Sequence, residues 1–214
     1  MGAEFLGTFC LVFAGTGAII INQISGGAVS HVGIALTFGL IVMAMIYTVG
    51  DISGAHLNPA VTLGFVFSRR MSLRSALPAM VAQCSGALCA SFLLRFLFPE
   101  NRTLGATLPA GSSAQSFVLE LVLTAILMFV ILGVSTGAKE KGITAGIAIG
   151  AVIALEALFA GPISGASMNP ARSLAPALVS LNLAALWIYL LAPTLGALCG
   201  VLCCRAVRED GCCS

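Results

Sequence analysis

Two Asn-Pro-Ala tripeptides are the parts of this sequence best suited to bind a polar molecule. They are Asn58-Pro59-Ala60 and Asn169-Pro170-Ala171. Asparagine is a preferred helix N-cap, and proline suits the first helical turn, where its missing N–H leaves no bond unmade. Each tripeptide therefore predicts the start of a helix. The partial positive charge of that helix end and the asparagine amide can both act on a solute oxygen.

The tripeptides lie in longer matching segments, about half a chain apart. Residues 52–60 (ISGAHLNPA) match residues 163–171 (ISGASMNPA) at seven of nine positions, with an offset of 111 residues. The openings of the two halves also match, as Glu4-Phe5-Leu6-Gly7-Thr8 and Glu120-Leu121-Val122-Leu123-Thr124. The chain is therefore interpreted as a duplication of one unit.

Few ionisable side chains interrupt the apolar segments, and an arginine in such a place suggests a function. Arg172 directly follows the second tripeptide, at the position that Val61 holds after the first. Glu4, Glu120 and Glu156 are the acids within apolar segments. No paired-acid motif, Ser/His pair or metal-ligand constellation accompanies them, which argues against an enzyme. We expect no catalytic residue, no metal and no cofactor.

The composition excludes an ordinary soluble domain. The 214 residues are 59% hydrophobic and 8% charged, with a mean hydropathy of +1.07. A soluble domain carries about a quarter charged residues, so this chain could not cover a surface exposed to water. The net charge of +2 gives no reason to expect a nucleic-acid partner. The partner implied by the composition is a lipid bilayer.

Six apolar segments have about the length that a helix needs to cross a bilayer. They are predicted at about 3–22, 31–50, 74–96, 116–136, 143–161 and 182–204. Two further segments, Asp51–Ser68 and Pro162–Val179, are interrupted by Gly and Pro, and each contains one tripeptide. A helix from Asn58 to Ser68 would be about 16 Å long, roughly half of the ~30 Å hydrocarbon core.

Three spans per repeat is an odd number, so the second repeat is inserted upside down. The two short helices then enter from opposite faces and meet N-terminus to N-terminus near the midplane. Irregular backbone at that depth is tolerated only where it is buried in protein or lines a water-filled cavity. Inverted repeats with matched, broken segments are typical of membrane transport sites. Their carbonyls would line a pore, contributed by Gly54, Ala55, His56, Leu57, Gly165, Ala166, Ser167 and Met168.

The basic residues indicate the orientation of the chain. Seven lie on one predicted side and two on the other. By the positive-inside rule, the richer side is cytoplasmic and holds both termini. The richer side has Arg69, Arg70, Arg74, Lys139, Lys141, Arg205 and Arg208, and the other side has Arg95 and Arg102.

With these motifs the chain resembles the aquaporin and glycerol-facilitator family over essentially its whole length. The resemblance implies an all-α membrane protein with six tilted transmembrane helices and two re-entrant half-helices in two inverted repeats. It also implies one pore per subunit, a homotetramer in the plasma membrane, and buried glutamates at Glu4 and Glu120 that brace the re-entrant loops. Residues 1–214 are predicted as one channel domain, with repeats at about 1–97 and 114–205 and a cytoplasmic tail at 206–214.

The resemblance places a selectivity filter at Phe38, Ala157, Ala166 and Arg172. Water-selective members resemble one another in having histidine at the position of Ala157. Here two alanines predict a wide ring with one apolar wall and one strong donor. Such a ring favours glycerol, urea or undissociated metalloid acids (arsenous or boric acid) together with water. Residues 160–174 are similar to the nodulin-like intrinsic proteins and their bacterial relatives, a branch that conducts metalloid acids and glycerol.

Several alternatives stay open at this stage. The channel could be water-selective, since Ser173, Ala177 and Tyr189 match the water-channel pattern, or the chain could be a coupled transporter. His56 resembles a pore-lining histidine of the family, and it could instead or also cap the loop backbone, since the two roles are compatible. Glu156 could tune the filter or be a buried bystander. A cluster of C-terminal cysteines is either an acylation or metal-binding tail or simply reduced, namely Cys203, Cys204, Cys212 and Cys213.

Overall fold

A computed structural model describes residues 1–135 and 139–207, with the side chains of residues 139–142 left out. Those ranges contain eight helices and no strand. The helices are α1 (Gly2–Ile24), α2 (Ser30–Ser53), α3 (Pro59–Phe67), α4 (Leu73–Leu97), α5 (Ser113–Val134), α6 (Lys139–Ser164), α7 (Pro170–Ser180) and α8 (Leu186–Val207).

Six of these helices are long and apolar enough to cross a membrane, and the two short ones, α3 and α7, begin at the tripeptides. The predicted arrangement of six spans and two half-helices is thereby confirmed. The predicted ends of two spans were wrong, because α2 and α6 continue to Ser53 and Ser164. Both helices end where a glycine adopts a left-handed conformation, Gly54 at φ 83° and Gly165 at φ 86°. Glycine adopts that conformation without steric cost, so it ends a helix readily.

The helices form two equivalent repeats, α1–α4 and α5–α8. In each repeat the first helix packs against the second and the fourth. Each short helix packs against the fourth helix of both repeats, so that α3 contacts α4 and α8, and α7 contacts the same pair. The second helices, α2 and α6, pack against each other and join the repeats. The duplicated sequence therefore corresponds to a duplicated packing scheme.

The two faces of the molecule are named here by the short helix that enters from each. The α3 side holds the ends of α2, α5 and α8 and the starts of α1, α4 and α6. The α7 side holds the opposite ends of the six long helices. Because α3 and α7 start at the centre and end on opposite sides, their N-termini point toward each other.

Glycines allow the first and fourth helices of each repeat to approach closely. A β-carbon on Gly86 of α4 would overlap the carbonyl oxygen of Phe5, and one on Gly196 of α8 would overlap that of Leu121. Small residues at such crossings are typical of membrane helices. Phe5 and Leu121 directly follow Glu4 and Glu120 in the sequence. The close approach therefore fixes the turn of helix that carries each glutamate.

We predict that Gly86→Ala lowers the melting temperature of the detergent-solubilised protein, because the added methyl group meets backbone that cannot rotate away. Overpacking of this kind destabilises by about 1–3 kcal/mol. Gly17→Ala on α1 is the matched control, since its β-carbon would meet nothing nearer than a methyl carbon of Leu94 at 3.5 Å. A melting temperature that falls equally in both variants would contradict the close approach at Gly86.

Candidate functional site

The two asparagines of the tripeptides cap the short helices. The Oδ1 of Asn58 accepts from the backbone N–H of Ala60 at 2.9 Å, and the Oδ1 of Asn169 accepts from that of Ala171 at 3.0 Å. Both asparagines have extended backbone, as N-cap residues do, and proline follows each. Since the oxygen of each amide is turned into its own helix, the Nδ2 group points outward.

Each of these Nδ2 groups bonds to the opposite repeat. Asn58 donates to the carbonyl of Met168 at 2.7 Å, and Asn169 donates to the carbonyl of Leu57 at 2.8 Å. The pair of reciprocal bonds joins the N-terminal tips of α3 and α7 at the centre of the molecule. An amide carries two N–H groups, so each asparagine retains one donor. Both side chains also line the cavity at the centre.

Glu4 binds the loop that precedes α3. Its Oε1 accepts from the hydroxyl of Ser53 at 2.6 Å and from the backbone N–H of His56 at 3.0 Å. Its Oε2 accepts from the backbone N–H of Leu57 at 2.8 Å and from Nε2 of Gln83 at 2.6 Å. The carboxyl group is buried and satisfies loop amides that have no helical partner.

Glu120 binds the loop that precedes α7 in the same way. Its Oε1 accepts from the hydroxyl of Ser164 at 2.8 Å and from the backbone N–H of Ser167 at 2.9 Å. Its Oε2 accepts from the backbone N–H of Met168 at 2.8 Å. Tyr189 donates to the carbonyl of Ser164 at 2.6 Å and holds the end of α6 from the side of α8. Hydrogen bonds to a carboxylate are among the stronger ones, so both loops are held firmly.

Both loops have an unusual backbone that repeats between the halves. The first, second and fourth residues of each loop have positive φ, which is uncommon for residues other than glycine. They are Gly54 (83°), Ala55 (46°), Leu57 (52°), Gly165 (86°), Ala166 (41°) and Met168 (52°). Such conformations persist only where surrounding contacts impose them, and here each glutamate accepts from the backbone N–H groups of the third and fourth loop residues. The fourth carbonyl of each loop is already bonded to the opposing asparagine, so the first three are the ones left for a solute.

The side chain of the third residue of each loop bonds to the short helix that follows it. Nδ1 of His56 lies 3.2 Å from the hydroxyl of Thr62, and the hydroxyl of Ser167 lies 2.5 Å from that of Ser173. The His56 ring also stacks on Phe65, with 4.4 Å between the ring centroids. His56 thus lines a cavity on the α3 side and contacts the helix behind it at the same time.

Arg172 and Phe38 form a pair on the α7 side of the asparagines. The Cζ atom of Arg172 lies 4.9 Å from the centroid of the Phe38 ring, within cation–π range. Nη1 of Arg172 donates to the carbonyl of Gly105 at 2.8 Å. The Phe38 ring packs on α1 at Gly15, where a β-carbon would overlap it. Both filter side chains are therefore held from behind by backbone.

Three cavities follow one another through the centre of the fold. Their volumes are about 590 Å³ on the α3 side, 30 Å³ in the middle and 240 Å³ on the α7 side. The α3-side and middle cavities share the lining residues Asn58, Leu127 and Ile153. The middle and α7-side cavities share Phe38, Ala157 and Arg172. Because each cavity shares wall residues with the next, the three lie in series from face to face, and this row of cavities is called the passage.

The middle cavity is the narrow part of this passage. A cavity needs about 10–15 Å³ to hold one water molecule, so 30 Å³ has room for only two or three water molecules. Ala157 and Ala166 contribute to its wall, as do Leu11, Leu127 and Ile153. The ring that two alanines predicted to be wide thus borders the smallest of the three cavities, since these larger side chains line the same passage.

A comparison with protein families matches the major intrinsic protein model over residues 1–204. The chain belongs to the major intrinsic protein family. It is 50% identical over 210 residues to Aquaporin NIP1-4 of Oryza sativa subsp. japonica, covering 98% of this chain and 77% of the rice protein. It is 45% identical over 207 residues to Nodulin-26 of Glycine max, covering 96% and 76%. These relatives confirm the resemblance noted in the sequence.

Among solved structures, the fold is similar to the X-ray structure of the aquaglyceroporin from Plasmodium falciparum. The TM-score is 0.84 at 27% identity, over 95% of this chain and 92% of that one. Members of the family are channels, not enzymes. The chain is therefore a multi-pass membrane channel for small solutes, and the passage through its centre is the candidate conduction path.

The predicted site residues are distributed along the channel unevenly. Gly54, Ala55 and His56 line the α3-side cavity, whereas Ala166, Ser167 and Met168 line the middle one and Gly165 the α7-side one. Leu57 lines none of the three, because its side chain is buried against Gly7 of α1. The proline and alanine of each tripeptide are likewise buried in the first turn of a short helix, at Pro59, Ala60, Pro170 and Ala171.

Glu156 is buried but outside the cavities. Its side chain is 1% exposed, and neither carboxyl oxygen has a hydrogen-bond partner in the part of the chain that the structure describes. It lines none of the three cavities that form the passage. This placement favours the bystander interpretation over a direct role in the filter.

Cys203 and Cys204 lie on α8, Cys203 exposed and Cys204 buried, while Cys212 and Cys213 lie outside the described residues. Within the described residues no group of His, Cys, Asp and Glu side chains is placed to hold a metal ion. The interpretation of the cysteine cluster as a tail stays a prediction.

Three contributors to the site were missed in the sequence. Gly105 and Thr107 lie in the connection between α4 and α5, where Gly105 bonds to Arg172 and the hydroxyl of Thr107 donates to Ser173 at 2.8 Å. Gln83 bonds to Glu4 and, at 3.0 Å, to the hydroxyl of Thr62. A signal existed for Gln83, since an amide within an apolar span needs a polar partner. No comparable signal existed for Gly105.

We predict that Glu120→Gln lowers both the melting temperature and the water flux of the channel. The substitution places an amide N–H where an acceptor is needed, and each buried donor left unpaired costs about 1–3 kcal/mol. Stopped-flow light scattering on proteoliposomes and thermal unfolding in detergent would measure the two effects.

Glu156→Gln is the matched control, because it makes the same change at a buried carboxyl without partners. We expect its water flux to equal that of the wild type and its melting temperature to be no lower. If Glu120→Gln behaved like Glu156→Gln, the loop before α7 would not depend on the carboxylate.

Proposed function

We propose that this channel conducts glycerol, urea and undissociated metalloid acids such as arsenous and boric acid, together with water, and excludes protons and ions. The observation that carries the proposal is that Arg172 and Phe38, in contact at 4.9 Å, lie side by side on the wall of a passage whose other walls include Ala157 and Ala166. A site of this kind offers one strong donor and one apolar wall. A small hydroxylated molecule matches both.

The proposed pose places the carbon or metalloid side of the solute on Phe38 and its oxygens toward Arg172. Arginine has five N–H donors, and one of those of Arg172 donates to the carbonyl of Gly105. The remaining N–H groups can replace water around the solute. The similarity to an aquaglyceroporin and to Nodulin-26 supports a solute class broader than water.

Exclusion of cations and protons is proposed to arise at the centre of the passage. The N-termini of α3 and α7 place partial positive charge there, and Arg172 adds a full charge nearby. The free N–H groups of Asn58 and Asn169 act as donors to a passing solute oxygen. A cation finds a positive field at this point, whereas a neutral hydroxylated solute finds donors.

We further propose that the α3 side is cytoplasmic, with both termini inside the cell and the protein in the plasma membrane. The α3 side carries Arg69, Arg70, Arg74 and Arg205, against Arg95 and Arg102 toward the α7 side. We propose one domain over 1–214, with repeats at about 1–97 and 114–205 and a tail at 206–214, assembled as a homotetramer. Native mass spectrometry in mild detergent would test the assembly.

A water-selective channel is the second candidate. The observation that favours it is the volume of the middle cavity, about 30 Å³, which suits water better than a polyol. A coupled transporter has less support, because Glu4 and Glu120 are engaged with the loops by several bonds each. Flux that follows the solute gradient without proton coupling would separate a channel from such a transporter.

The test is stopped-flow swelling of proteoliposomes with each solute in turn. The wild type should conduct glycerol, urea and a metalloid acid as well as water. Ala157→His should lower glycerol flux at least about tenfold, an added barrier of roughly 1.4 kcal/mol, because the imidazole would occupy space in the cavity that Ala157 and Arg172 both line. Water flux should change much less.

Ala151→His is the control, since Ala151 lies on the same helix but is exposed at its outer surface. It should leave the ratio of glycerol flux to water flux unchanged. A wild type that conducts water alone would refute the proposed solute class. Equal glycerol flux in Ala157→His and the wild type would refute the proposed filter position.

A further inference from the structure

His31 lies at the mouth of the passage, and the function described so far gives it no role. It is the second residue of α2, and it lines the α7-side cavity together with Phe38 and Arg172. It precedes Phe38 by seven residues, or two helical turns, so both side chains share one face of α2 about 10 Å apart. A solute approaching the filter from the α7 side would pass His31 first.

One ring nitrogen of His31 is already engaged with α6. Nε2 lies 2.7 Å from the carbonyl oxygen of Leu158. A carbonyl oxygen only accepts, so Nε2 must carry the hydrogen. In an α-helix this carbonyl would accept from the N–H of residue 162, but Pro162 has none. His31 therefore supplies the donor that Pro162 lacks, inside an apolar environment where an unpaired carbonyl is costly.

This bond determines what the rest of the ring can do. A neutral imidazole has one donor nitrogen and one acceptor nitrogen, so Nδ1 is the acceptor. The edge of the ring with Cε1 lies over Gly161, where a β-carbon would come within 2.8 Å of Cε1. The ring is thus seated on α6, and Nδ1 has no hydrogen-bond partner among the described residues. It is the ring atom left to meet a molecule in the cavity.

The rest of the α7-side cavity offers few other polar side chains. Apart from His31 and Arg172, its lining side chains are apolar except for Thr107, whose hydroxyl donates to Ser173. The cavity of about 240 Å³ therefore has an acceptor at its mouth and a strong donor at its base. A solute that has both a donor and an acceptor can satisfy each.

We propose that His31 is a specificity-determining residue of the channel, whose Nδ1 accepts a hydrogen bond from a hydroxyl or N–H group of the solute at the mouth of the α7-side cavity. Arg172 then donates to an oxygen of the solute deeper in the same cavity. A polar site of this kind rejects analogues that lack the matching hydrogen-bonding groups, because the polar groups of the site are then left unpaired. The inference rests on the proposed conduction of polyols, urea and metalloid acids.

The first test compares His31→Phe with His31→Gln. Phenylalanine keeps a ring of similar size but loses both nitrogens, whereas glutamine retains one N–H donor and one acceptor. In proteoliposomes, His31→Phe should lower the ratio of glycerol flux to water flux about three- to tenfold, the size of one neutral hydrogen bond. His31→Gln should keep most of the wild-type ratio.

A second test, in the Pro162→Ala variant, distinguishes a contact between His31 and the solute from the bond between His31 and Leu158. Pro162→Ala restores a backbone N–H that can bond to Leu158, so His31 is no longer needed there. In this background, His31→Phe should still lower the glycerol-to-water ratio, while the melting temperature stays that of Pro162→Ala alone. An unchanged ratio would overturn the proposal, because His31 would then act only through α6. If His31→Phe alone fails to fold, the double variant carries the test.

The outcomes distinguish this inference from the proposed function. A wild type that passes no glycerol, urea or metalloid acid refutes the proposed function and the inference with it. A wild type that passes glycerol, with the same glycerol-to-water ratio in His31→Phe, refutes only the role of His31.

Discussion

Every backbone N–H and C=O group in the middle of a bilayer needs a partner inside the protein, and this constraint governs the whole channel. The helices α2 and α6 end on opposite faces, at Gly54 and Gly165, and in each repeat four loop residues lead the chain back to the centre, where a short helix starts. Those residues cannot bond to water outside the pore. Glu4 and Glu120 accept from the loop amides on one edge. The opposite edge is then free to present carbonyls to a solute.

The parts that could be predicted from sequence are those that local signals specify. Apolar runs locate the six spans, and the Asn-Pro pairs locate the starts of α3 and α7 through N-cap chemistry. Local signals also misled at one point. Pro162 predicts the start of a broken segment, yet α6 continues to Ser164, and His31 of α2 supplies the hydrogen-bond donor that Pro162 lacks. Only the tertiary structure shows that a side chain of another helix bonds to the carbonyl group that a proline leaves without a partner.

The contacts that sequence could not predict come from irregular segments and from other helices. Gly105 holds Arg172 from the connection between α4 and α5, a segment without periodicity, so nothing in its residue types tells where its carbonyls point. Gln83 reaches Glu4 across 79 positions of sequence. In both cases the residue type is informative only when the path of the chain is known. The two tripeptides and their bracing glutamates were predictable, whereas the contacts made by Gly105 and Gln83 were not.

The elements that the two repeats share and the elements that differ between them have separate roles in the channel. The matched elements, namely the capping asparagines, the bracing glutamates and the left-handed glycines, hold the two halves together at the centre. The unmatched elements lie where the repeats differ in sequence. Arg172 holds the position that is equivalent to Val61, and His56 the position that is equivalent to Ser167. Arg172 is fixed by a backbone carbonyl and Phe38 by the close approach of α1 at Gly15. Because both supports are backbone, the filter is preorganised, and its selectivity depends on elements remote from it in sequence.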